Sequence, residues 1–289
     1  MAQSEVNGLF QWFKLGTSAA NAGIGLITGG DLSSNPGTKR LLGSGGKSVR
    51  KGGLLNFAAV TTFAVGGDNQ AVIAAGLRNA YPRGTLTEYI IAGGANDWGR
   101  QYTDAVVTQG SISYSQDNPL SCTLNWGALG IGEVAGSTMP DIAEDIFMDW
   151  DVSVDIEGGG DYSCSAFTLN WNNNVTFKKA GKAKVAGQKR WPDYYLLGIE
   201  DASLDITLAK PLPTSVDAPF YDCLADDLTV TISAENCNGD TLVITVDNLM
   251  LQGDNNMALV DGNTQVEWPY SFMGSDMLGS IDWAFTAGS

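Results

Sequence analysis

Period-two alternation is the feature that most restricts what this chain can become. In Asp149–Ile156 (DWDVSVDI), Trp150, Val152, Val154 and Ile156 fall on one side and Asp149, Asp151, Ser153 and Asp155 on the other. An extended strand separates side chains in this way, whereas a helix would scatter them around its axis. Asp201, Ser203 and Asp205 alternate likewise with Ala202, Leu204 and Ile206, and Leu228, Val230 and Ile232 alternate with Thr229, Thr231 and Ser233. Short apolar runs of this kind are separated by turn residues, and the 289 residues include 36 glycines. The expectation is a mainly β chain of many strands joined by turns. The helix candidates are Asp68–Ala80, with Asp68 as N-cap and an Ala-rich interior, and Ser215–Asp226.

Charge is segregated along the chain. The net charge is −16, yet no acid occurs between Leu32 and Gly67 or between Tyr162 and Pro192. Those windows hold 11 of the 16 basic residues: Lys39, Arg40, Lys47, Arg50 and Lys51 in the first, and Lys178, Lys179, Lys182, Lys184, Lys189 and Arg190 in the second. Basic pairs in the two windows match at a spacing of 139 residues (Lys39-Arg40 with Lys178-Lys179, Arg50-Lys51 with Lys189-Arg190). Each window leads through Leu-Leu into an alternating strand, Phe57–Val65 or Ile199–Ala209, and then to a helix candidate and a strand-turn-strand. The first strand pair is Ala105–Ser115 with Leu120–Trp126, and the second is Leu228–Ala234 with Thr241–Leu251. This layout implies an internally duplicated β unit, 1–156 and 157–289.

Several function classes are disfavoured. Histidine is absent, which removes the usual general base and the commonest metal ligand. Gly43-Ser44-Gly45-Gly46-Lys47-Ser48 lacks the first glycine of a phosphate-binding loop, because Leu41 stands there. Asp254-Asn255-Asn256 and Asp261-Gly262-Asn263 read as turns and not as a twelve-residue calcium loop. Asp141, Glu144, Asp145 and Asp149 crowd together with nothing converging on them. Cys122, Cys164, Cys223 and Cys237 form no CxxC pair, so reduced thiols are expected. No enzyme, cofactor or metal is expected. The opening MAQSEVNGLFQWFKLG lacks the features of a secretory signal, and no apolar run suits a membrane-spanning helix.

Two segments carry a resemblance. Phe167–Ala209 has a strand ending in the Asn172-Asn173-Asn174 turn, a basic Gly-containing loop and a second alternating strand. Tyr102–Gly127 reads as a strand, a turn and a matching strand. Together they resemble the tail tube proteins of tailed phages. The resemblance implies a β-sandwich or barrel with a short flanking helix, in rings of three or six subunits stacked into a virion tail tube, whose sheets join into one continuous barrel. It implies synthesis in the host cytoplasm, tape measure, tail tip and terminator proteins as partners, and DNA that passes through without specific binding. The basic residues named above then become candidate contacts between subunits or rings. Asp149, Asp151, Asp155, Asp201 and Asp205 become a candidate acidic face, and acidic or neutral polar faces suit a lumen that must not hold DNA. The competing readings are another self-assembling virion component, such as a decoration or terminator protein, and a monomeric carbohydrate- or calcium-binding β-sandwich.

Overall fold

The computed structural model describes residues 11–16, 22–24, 26–34, 37–40, 48–51, 54–77, 84–92, 95–116, 118–135, 146–147, 152–180, 190–209, 228–252, 258–259, 266–275 and 281–288. Up to Val134 the strands are β1 (Gln11–Leu15), β2 (Ala22–Ile24), β3 (Leu26–Ser34), β4 (Gly37–Arg40), β5 (Ser48–Lys51), β6 (Leu55–Ala64), β7 (Gly84–Ala92), β8 (Ala95–Ser115), β9 (Ser121–Ala128) and β10 (Gly130–Val134). From Val152 they are β11 (Val152–Ile156), β12 (Tyr162–Asn172), β13 (Thr176–Lys178), β14 (Tyr194–Leu196), β15 (Asp201–Leu208), β16 (Leu228–Glu235), β17 (Thr241–Leu251), β18 (Ala258–Leu259), β19 (Val266–Ser275) and β20 (Ile281–Thr286).

The expected alternation is present. Phe57, Ala59, Thr61 and Phe63 of β6 are buried, as are Val152, Val154 and Ile156 of β11 and Ala202, Leu204, Ile206 and Leu208 of β15. Each strand therefore gives one face to the core, where burying a Leu, Ile or Phe side chain is worth about 1.5–3 kcal/mol. The β16–β17 turn is built by Asn236, whose side-chain oxygen accepts the N–H groups of Asn238 and Asp240 at 3.0 and 2.9 Å.

The first helix candidate is shorter than expected. A 3-10 turn, Gly67–Asn69, leads into one helix, α1 (Gln70–Gly76), and Leu77 is already extended. The N-cap positions are Gly66 for the 3-10 turn and Asn69 for α1. The Asn69 side chain accepts the Gly66 N–H at 3.1 Å and donates to the Ala64 carbonyl at 2.7 Å, closing the chain onto the end of β6. The second candidate, Ser215–Asp226, lies outside the described residues.

Two strand ladders run in the same order. In the first, β3 pairs with β6, then β9, β8, β7 and β1 follow. In the second, β12 pairs with β15, then β19, β17, β16 and β11 follow. The β4–β5 hairpin follows β3 as β13–β14 follows β12, and β10 lies on β8 as β20 lies on β17. Their irregularities coincide as well. β8 carries extra residues between its Leu86 and Gly84 partners, and β17 between its Val230 and Leu228 partners. One residue in each bulge has positive φ, Asp104 at 48° and Asn248 at 59°. Gly16 after β1 donates to the Thr85 carbonyl, and Glu157 after β11 donates to that of Thr229.

This order alters two sequence expectations. β16 occupies the place of β7, so the hairpin β16–β17 matches β7–β8 and not Ala105–Ser115 with Leu120–Trp126. The second basic pairs are not equivalent either. Arg50 lies opposite Thr38 within β4–β5, whereas the residue opposite Phe177 in β13–β14 is Tyr195. Arg190 precedes β14.

β8 links everything. Its first half pairs with β7 and β10, and its second half pairs with β9 on one side and β12 on the other. The Ala166↔Ser115 to Asn172↔Gln109 ladder joins the two strand orders into one sheet running β3-β6-β9-β8-β12-β15-β19.

Candidate functional site

The joined sheet has two unlike faces. One covers the core. The other is lined by small polar side chains in register across six strands: Thr62 opposite Thr123, Asn125 opposite Gln109, Ser111 opposite Asn170, Asn170 opposite Ser203, and Asp205 opposite Ser271. Cross-strand hydrogen bonds tie these groups to one another. Thr62 and Thr123 hydroxyls lie 3.1 Å apart, Ser113 and Ser121 hydroxyls 2.9 Å apart, and Ser271 donates to the Asp205 carboxylate at 2.6 Å. Asn174 donates to the Asp201 carboxylate at 2.8 Å. No Lys or Arg stands at any of these positions. A shallow groove on this face is lined by Gln109, Ser111, Asn125, Asn170 and Ser203 together with Met273.

Asp201 and Asp205 share the polar face of β15. Asp155 lies on β11, in the ladder with β16, where its carboxylate accepts the Gly160 N–H at 3.2 Å. Asp149 and Asp151 lie outside the described residues.

The basic residues gather on two hairpins. Lys39, Arg40, Arg50 and Lys51 belong to β4–β5, which brings the four backbone positions together. Lys178 and Lys179 lie at the end of β13, and Lys179 donates to the Trp191 carbonyl at 2.9 Å. The Arg190 carbonyl accepts the Leu55 N–H at 2.9 Å, so this hairpin is anchored to the first ladder. Lys47, Lys182, Lys184 and Lys189 lie outside the described residues, as do the 43–46 glycine run and the turns at 254–256 and 261–263.

Sequence reasoning missed the contacts at the β8–β12 joint. Trp171 fits against Gly110 so closely that a Cβ there would stand 2.0 Å from its ring. Its indole N–H donates to the Gly76 carbonyl at the end of α1, 3.0 Å away. Asn173 is buried, and its amide donates to the Gly76 and Val107 carbonyls at 3.1 and 2.9 Å. The Asn run signals a turn in the sequence, but nothing in it signals that one amide would satisfy two buried carbonyls.

Also unforeseen is a polar cluster inside the first ladder. Glu88 is buried, 3.4 Å from Arg100, and accepts the Tyr102 hydroxyl at 3.3 Å. Burial pushes its carboxyl above the ordinary value, against the pull of Arg100 and Tyr102. Burial likewise holds the Cys164 thiol up at about 12 and that of Cys122 higher still, so both are inert. Among the described residues no group of three His, Cys, Asp or Glu side chains could hold a metal ion. No described helix is long and apolar enough to cross a membrane.

A mostly β structure with one short helix among the described residues and a long polar sheet face agrees with the resemblance found in its sequence. The family model for phage tail tube proteins matches residues 16–287. The chain belongs to the phage tail tube protein family. No curated protein matches it. As a member of that family it is a structural component of the virion tail that assembles into a tube.

Proposed function

We propose that this tail tube protein polymerises as stacked rings and that the viral genome passes along the polar face of the joined sheet. The observation that carries this reading is that face itself, with hydroxyl, amide and carboxylate groups in register across six strands and no cation among them. Lys and Arg on a wall would hold the phosphate backbone, whereas neutral and acidic groups leave it mobile. The role is mechanical, with no catalytic step. The tape measure, tail tip and terminator proteins are the partners such a tube would meet.

We further propose that the chain is a duplicated unit and that three copies close the ring. The matched strand orders, the paired bulges and the two positive-φ residues Asp104 and Asn248 support this. β11 goes with the second ladder, so the join falls between Val134 and Val152, earlier than residue 156. Each unit brings four strands to the joined sheet, the end of β17 being the last. Three copies would supply about 24 strands, and at ~4.8 Å spacing and ~40° tilt these close a barrel about 48 Å across between backbones.

The test is negative-stain electron microscopy of the purified chain across a concentration series, with averaging of end-on views. Tubes or stacked rings with three repeats are expected. A chain that stays monomeric at every concentration overturns the reading, and six identical repeats overturn the ring of three.

A further inference from the structure

The contact between the two ladders is a template for contact between two copies. Within the chain, β12 pairs along β8, and the β13–β14 hairpin then crosses onto the end of the β6–β9 pair. It straddles that end. On the polar side, Phe177 lies over Gly127, where a Cβ would stand 2.4 Å from the ring. On the core side, Trp191 meets Phe57 edge-on at 5.1 Å. Val106, opposite Gly127 in the ladder, is only 3% exposed.

Among the described residues no such arm lies over the second ladder. Met250 and Met273 take the places of Val106 and Gly127, directly opposite each other. They are 46% and 47% exposed. The Gln252 amide touches the Met273 sulfur at 3.4 Å. Two facing methionines on a sheet surface otherwise lined by hydroxyls and amides form an apolar patch that water covers at a cost. The first ladder, in turn, has a hairpin to spare. In β4–β5, Thr38 and Arg50 stand where Phe177 and Tyr195 stand in β13–β14. Among the described residues β3 pairs with β6 alone, while its counterpart β12 has both β15 and β8.

We propose that β3 and the β4–β5 hairpin of one copy dock on the β17–β19 end of a second copy, with Thr38 over the Met250–Met273 pair. The proposal rests on the tube reading and supplies its subunit joint. Size complementarity supports it. Phe over Gly inside the chain becomes Thr over Met between chains, so the larger group changes sides and the combined volume is similar. Charge supports it independently. The hairpin carries Lys39, Arg40, Arg50 and Lys51 in a window without acids, while residues 211–289 contain 12 Asp and Glu and no Lys or Arg. Opposite potentials steer such a contact and fix its direction, and a head-to-tail contact of this kind closes rings.

The experiment uses the full chain with Cys237→Ser and Cys223→Ser, which remove the exposed Cys237 thiol and the thiol of Cys223, plus Thr38→Cys and Met273→Cys together. Treated with a short bismaleimide after assembly, it should give covalent dimers and trimers on a denaturing gel, while each single-cysteine control stays monomeric. Tubes that form normally but yield no cross-link overturn this joint and leave the tube reading standing. A parent chain that never assembles overturns both. A second variant, Met273→Lys, sets like charge against the hairpin at a half-exposed position. It should melt within about 2 °C of the parent, as surface changes generally do, and need at least tenfold more protein to assemble. Assembly at the parent concentration overturns the proposal.

Discussion

The two ladders share strand order and bulge positions but differ in what fills them. Glu88 pairs with Arg100 in the first, and Ile232 pairs with Ile244 at the matching place in the second. Tyr102 lies opposite Leu86, and Val246 lies opposite Val230. One backbone arrangement thus tolerates an ion pair with a tyrosine hydroxyl or a set of aliphatic side chains. The difference teaches that the ladder is specified by alternation and by where its bulges fall, not by any particular interior contact. A second difference lies at the ends. An aromatic arm covers Val106 and Gly127, while Met250 and Met273 are left half-exposed.

The largest expected effects come from breaking the covered end. Trp171→Ala removes a buried ring and its bond to Gly76, and calorimetry should show a loss of about 3–5 kcal/mol. Asn173→Ala takes the amide donor from the Val107 carbonyl and one of two donors from that of Gly76, which keeps Trp171, and should cost about 1–3 kcal/mol by denaturant unfolding. In both variants loss of stability should accompany loss of the β8–β12 joint, seen as faster hydrogen exchange at 109–115.

A smaller effect sharpens the interior comparison. Glu88→Ile with Arg100→Ile and Tyr102→Phe gives the first ladder an apolar interior like the second. Replacing a buried ion pair by apolar groups is often neutral or stabilising by about 1–4 kcal/mol, so this variant should equal or exceed the parent near neutral pH. Its pH dependence carries a sign. The carboxyl of Glu88 is held above its unfolded value, so the folded state binds that proton more tightly. Its contribution is therefore full at low pH and is lost as pH rises from the ordinary carboxylate range through the folded value. The gap between variant and parent melting temperatures should widen in the variant's favour over that interval; a constant gap would show that Glu88 does not titrate there. The smallest effect belongs to the uncovered end. Met273→Ser should change the stability of the unassembled chain by less than about 0.5 kcal/mol.

Much of the fold was legible in the residues. The alternation in β6, β11, β15 and β16 needed no tertiary information, because each strand has one solvated face. β7 was not legible. Thr87, Glu88 and Tyr89 are consecutive and all buried, so no period remains to read. The helix was overestimated because Ala-rich propensity says nothing about where Leu77 turns to follow the sheet. The basic windows were read as loops, yet parts of them are strand in β4–β5 and β13, and the second charge pairs fall at unlike places because the two connections differ in length. Asp201 and Asp205 alternate with the buried Ala202, Leu204 and Ile206 on β15. The joint was invisible, because it depends on Trp171, Asn173 and Phe177 meeting glycines and carbonyls far away in the chain.

β8 is a single 21-residue strand that pairs with β7 and β10 along its first half and with β9 and β12 along its second. Neither half can lose its order without stripping partners from the other. Cooperative unfolding follows, with one transition for the whole chain where two linked modules would ordinarily give two. In a tube, a subunit of this kind yields as a whole or not at all.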